Sequence, residues 1–124
     1  MVLLLHTLIE GLIGLLFLFF PAWVQRLPGL GAGSGESFLL VTKMYGLAAL
    51  LLALLSFLAW RKSASPQFVL TITGLLTAFH LGMALVQGLY NPDVRAMLSH
   101  FLLVVLLGAQ FTRLRKQSWA EESK

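Results

Sequence analysis

Four long apolar runs, broken by short polar stretches, set the pattern of this chain. They fall at about 2–20, 38–60, 68–90 and 96–112. Each approaches the roughly 20 residues that a helix needs to cross the hydrocarbon core of a bilayer; the last run is the shortest. Backbone amides cannot stay unpaired in lipid, and no alternation of period two suggests a barrel, so the runs predict helices. The expectation is all-α: a polytopic membrane four-helix bundle forming a single transmembrane domain over 1–124, with a basic tail at 113–124.

Within the runs, polar and small residues recur at helical spacing. In the third, Thr73, Thr77, His80, Ala84 and Gln87 step by four and three, which keeps them on one helix face. Thr42, Gly46, Ala49, Ala53 and Ser56 do the same in the second. His6, Glu10 and Gly14 form a row in the first. Small residues at this spacing let helix backbones approach, and Ser or Thr adds hydrogen bonds between helices. All three faces are therefore expected to turn inward. The fourth run, mostly leucine and valine with Ser99, His100 and Gln110 as exceptions, closes one side and shows most of its surface to lipid. The small-residue face of the second run suits packing within the monomer or against a second copy.

The connections carry helix-start chemistry. Ser65-Pro66 and Asn91-Pro92 each place a capping side chain ahead of a proline suited to a first turn. The first loop joins an amphipathic PAWVQR to a glycine-rich LPGLGAGSGES, which reads as a chain reversal and lacks a helix-linked phosphate motif. The first run has no basic leader, carries Glu10 at its centre and is followed by no small-residue cleavage site, so it is expected to be a retained span.

Composition sharpens this picture. Only 11% of residues are charged and 58% are hydrophobic, whereas a soluble domain of this length needs roughly a quarter charged to wet its surface. The net charge of +4 does not point to nucleic acid, because the basic residues gather at the ends of the apolar runs and form no stripe. Arg61, Lys62, Arg113, Arg115, Lys116 and Lys124 flank one set of ends, against Arg26 and Arg95 at the other. That asymmetry places both termini in the cytoplasm, in an inner membrane crossed several times. The absence of cysteine excludes thiol–disulfide relays and thiolate metal sites.

The candidate chemistry lies inside the membrane. A charged side chain at the bilayer centre costs about 2.5–3.5 kcal/mol even on mild insertion scales, so such residues mark function by default. Helical rise puts Glu10 near the midplane and His80 slightly outward, with Lys43 and His100 on the order of 6–9 Å outward of the midplane. His6 and Gln110 fall in the inner half by the same measure. The expected site is a polar column of Glu10, His80, Lys43 and His100, with Tyr45 and Thr77 beside it, opening outward. Two readings of Glu10 stay open: an ion pair with Lys43 that fixes helix register, or a lone carboxyl held neutral by desolvation and able to exchange protons. His80 reads as a core histidine bonded to a threonine or carbonyl, or as a ligand.

A bis-histidine haem would need His80 with His100 on antiparallel neighbours, where large residues crowd the surroundings, and the balance is against it. A zinc site would need Glu10, His80 and His100 to converge, and their spacing matches no known signature, so no metal ligand is assigned. No catalytic residue is assigned either; acid–base chemistry by Glu10 and His80 is physically open but has no motif behind it.

Over residues 1–112 the chain resembles the DoxX-like group of small bacterial four-helix membrane proteins. The likeness is carried by GLIGLLFLFFPAWVQRLPG, by MYGLAALLLALL, and by FHLGMAL followed by a histidine early in the last run. The resemblance implies a common architecture with varied activities, some members serving as membrane subunits in quinone-coupled sulfur oxidation. It carries no catalytic residue onto this chain. The function expected is binding of a lipid-like or quinone-like molecule in the column, or docking as a membrane partner subunit. The alternative is proton-coupled transport of a small solute by a homo-oligomer, with Glu10 exchanging the proton.

Overall fold

The computed structural model describes residues 1–26, 35–91 and 94–122, with side chains described as far as residue 118. Five helices follow one another: α1 (Val2–Phe19), α2 (Pro21–Val24), α3 (Glu36–Arg61), α4 (Pro66–Tyr90) and α5 (Val94–Glu122). All but the single turn of α2 are long and apolar enough to cross a membrane, which makes this a multi-pass helical membrane protein. Leu8, Leu12, Leu40, Leu75, Leu85 and Leu102 are exposed around the outside, a surface suited to hydrocarbon and too large to leave in water.

Packing runs up-down-up-down. α1 pairs closely with α3 and α4 with α5, and looser α3–α4 and α1–α5 seams close the ring. α1 and α4 therefore oppose each other across the interior, as do α3 and α5. The expected faces are buried on α1 (His6, Glu10, Gly14) and α3 (Thr42, Gly46, Ala49, Ala53, Ser56); on α4 Thr73, His80 and Ala84 are buried, and Thr77 and Gln87 are half-buried.

The small residues set the α1–α3 distance. A methyl group added to Gly46 would lie 2.9 Å from the Gly14 carbonyl oxygen and 2.8 Å from the Leu18 nitrogen, so the two backbones touch there. Near the other end of the same seam, the Ser56 hydroxyl donates to the Leu3 carbonyl at 2.7 Å. The stripe on α3 is thus used within the chain. Between α4 and α5, Gly74 receives the Phe111 ring and Gly88 the Met97 sulfur.

Three layers result. At the end holding the start of α1, an apolar core of Leu3, Ala59, Val69, Ile72, Leu76, Leu103 and Leu107 fills the interior. The histidines occupy the middle. Beyond them, at the end holding α2 and the start of α3, the interior opens into a pocket.

The connections differ from expectation in detail. Pro66 opens α4 behind Ser65, but the Ser65 side chain makes no capping bond. Asn91 instead ends α4, where its side-chain amide donates to the Gln87 oxygen at 2.7 Å. The PAWVQR segment forms α2, with Val24 buried and Trp23 exposed. Most of the glycine-rich stretch, together with Pro92 and Asp93, lies outside the described residues. The last helix runs well past 112, so the basic segment expected as a tail continues α5; Lys124 lies outside the described residues.

Candidate functional site

The centre of the bundle holds a chain of side chains drawn from all four long helices. His6 and Glu10, one turn apart on α1, both project inward because residues i and i+4 share a helix face. Opposite them, His80 of α4 is fully buried. The Nε2 atoms of His6 and His80 share a hydrogen bond of 2.7 Å, with the rings edge to face. A Glu10 carboxylate oxygen lies 3.7 Å from the same His80 Nε2. On its other side, His80 Nδ1 shares a 3.0 Å bond with Nδ1 of His100 on α5. His100 Nε2 in turn lies 3.5 Å from the hydroxyl of Tyr45 on α3, a long contact. The polar groups thus connect α1 to α4 and α5 to α3, across both diagonals of the bundle.

Each ring nitrogen of His80 is engaged, and His100 is held at Nδ1 with the long Tyr45 contact at Nε2. The exception is His6: its Nδ1 is buried and has no hydrogen-bond partner. Buried polar atoms without partners are rare enough that each calls for a reason.

A pocket of about 610 Å³ lies beside this chain, partly open to the outside. Ile9, Ile13, Leu16, Phe17, Val41, Leu102 and Leu103 give it apolar walls, and Glu10, Tyr45 and His100 stand among them. Thr42, Gln87, Arg95 and Ser99 add further polar groups. The volume lies in the range of small-molecule sites, which combine apolar walls with a few polar groups that fix orientation.

Glu10, His80, His100 and Tyr45 therefore come together as the sequence suggests. Two expected members do not. Lys43 is exposed on the outside of α3, one position beyond inward-facing Thr42 and so about 100° around the helix. It forms no ion pair with Glu10, and among the described residues His80 is the group at ion-pair distance from that carboxylate. Thr77 donates its hydroxyl to the Thr73 carbonyl at 2.7 Å and sets its methyl toward Gly108, away from the pocket.

One central residue escaped sequence reasoning. Depth alone put His6 in the inner half, apart from His80. Spans centred at one level would hold the two rings apart, and their 2.7 Å bond shows that α1 and α4 do not share that register. The signal available was the i, i+4 partnership of His6 with Glu10. Its consequence is a three-ligand group that no spacing motif announces: donor atoms of His6, Glu10 and His80 all lie within 4.8 Å of one another, a set able to hold a metal ion. His80 and His100 bond each other directly through Nδ1.

Comparison with protein-family models, with curated proteins and with solved structures yields no match, so the functional reading rests on this geometry.

Proposed function

We propose that the pocket holds the polar head of an amphipathic molecule, lipid-like or quinone-like, whose hydrocarbon part runs along the apolar wall. The observation that carries this reading is the pocket itself: about 610 Å³ of mostly apolar space with Tyr45, His100 and Glu10 facing it. A phenol hydroxyl and an imidazole can donate to a carbonyl or ester oxygen, and the carboxyl can accept from a hydroxyl. Their depth inside the bundle lets these bonds form away from competing water.

The resemblance to DoxX-like proteins belongs to the same proposal, and with it a role as a membrane subunit beside a partner protein. So does orientation. The excess of Lys and Arg at the end holding the termini supports a cytoplasmic location for that end, with the pocket at the outer half of an inner membrane.

The test is ligand retention. Protein released gently from its own membranes and examined by native mass spectrometry is expected to carry one discrete added mass. A short-chain quinone titrated into delipidated protein is expected to bind, with Tyr45→Phe and His100→Ala each at least tenfold weaker and Thr77→Val unchanged. Equal binding by all four proteins would remove the reading.

A second reading draws on the chain of imidazoles. Hydrogen-bonded histidines beside a carboxyl can pass protons, as proton-coupled movement of a small solute by an oligomer requires. Proteoliposomes loaded with a panel of cations, and showing no flux under a proton gradient, would argue against it.

A further inference from the structure

We infer that His6, Glu10 and His80 form a site for one divalent first-row transition-metal ion, with an open coordination position toward the pocket. The donor set comes first. Two imidazoles and one carboxylate suit zinc or ferrous iron, and three protein ligands leave a position free for a further group. All three side chains are buried, and their donor atoms lie within 4.8 Å of one another.

Distances support the convergence. Bonds of about 2.0–2.2 Å from each donor to one ion place neighbouring donors roughly 3–3.6 Å apart. The His80–Glu10 separation of 3.7 Å is already close to that range. The 2.7 Å contact between His6 and His80 is shorter, so a small rotation of the His6 ring opens the group to receive an ion.

Charge points the same way. Glu10 is buried in the bundle, and Lys43, its counter-ion in one of the two readings of the sequence, faces outward. A buried carboxylate needs a counter-charge or a proton, and a dication bound by two neutral imidazoles supplies the first.

The surroundings resemble the outer shell of a metal site. A ligating histidine usually gives its other ring nitrogen to a partner that fixes tautomer and orientation. His80 does so through Nδ1 to His100, which reaches on to Tyr45. His6 has no such partner at its buried Nδ1, so turning its ring toward an ion breaks no second hydrogen bond. Glu10 lines the pocket, which gives an ion a route in and its open position a place to face.

The site does not depend on the amphipathic ligand, and the two can be tested apart. Full-length protein in detergent, stripped with a chelator, is titrated with Co²⁺ alone. One equivalent is expected to bind with visible d–d absorption, and Zn²⁺ is expected to displace it. The chain has 3 histidines, so few other nitrogen donors compete. His6→Ala is expected to abolish the band, and Glu10→Gln to abolish or strongly weaken it. His100→Ala keeps all three ligands and is expected to bind one equivalent about 10–100-fold more weakly. A wild-type protein that takes up no Co²⁺ with a visible band overturns the site whatever the variants do. So does a His6→Ala protein that binds as tightly as wild type. Quinone binding measured on metal-free protein reports on the pocket separately, so a failure of one leaves the other standing.

Discussion

Nε2 of His6 and Nε2 of His80 lie 2.7 Å apart at the centre of the bundle, tying together two helices that otherwise face each other across its interior. Through this bond the polar residues of α1 join those of α4, and through His100 those of α5. The link is measurable. With histidine rings labelled in ¹⁵N, a through-bond coupling between the two Nε2 nuclei is expected in metal-free protein, and His80→Phe is expected to erase it. Two unconnected imidazole signals would show that the rings do not share a proton.

The α1–α3 crossing predicts sharp sensitivity at two glycines. Gly14→Ala and Gly46→Ala each push a methyl group against the facing backbone, and overpacking of this kind costs about 1–3 kcal/mol. Gly82 has nothing within 4 Å of an added methyl, so Gly82→Ala is expected to be neutral or mildly stabilising. Thermal unfolding of the three variants in detergent distinguishes the positions.

Ser56→Ala removes the hydroxyl that reaches from α3 to the Leu3 carbonyl. Hydrogen bonds between membrane helices average about 0.6 kcal/mol, and a loss of that order is expected. Thr71→Val is the comparison: its hydroxyl returns to its own helix at Gln67 on an exposed face, and a change below about 0.5 kcal/mol is expected. Equilibrium unfolding in mixed micelles resolves the difference if the two are measured side by side.

Lys43→Gln separates the two readings of Glu10. Breaking a buried ion pair costs about 3–5 kcal/mol, because a charge is left uncompensated. With Lys43 on the outer surface, the substitution is expected to change stability by less than about 0.5 kcal/mol and to leave ligand binding intact. A large drop in melting temperature would restore the Glu10–Lys43 latch.

Topology is open to chemical labelling, helped by the absence of native cysteine. In intact cells a membrane-impermeant maleimide is expected to modify Gln25→Cys and to spare Ser118→Cys until the cells are lysed. The reverse pattern would invert the orientation.

The spans and their inward faces were legible in the chain itself. A four-three rhythm of small and polar residues can turn only one side of a helix toward its neighbours, so Thr42, Gly46, Ala49, Ala53 and Ser56 declared their face before any contact was known. Glu10 and His80 stood out by the same logic, since lipid excludes them from the outer surface. Which groups meet was a different matter. Lys43 lies at the depth expected for the column but on the wrong side of α3, and depth alone carries no direction around the helix. His6 shares the face of Glu10, yet its contact with His80 depends on how far α1 and α4 slide along each other. The Gly14–Gly46 contact holds α1 at one height on α3, and the α3–α4 seam relates that height to α4. Periodicity determines an angle around one axis. The relative height of two axes, and therefore the convergence of His6, Glu10 and His80, is decided only when the helices pack.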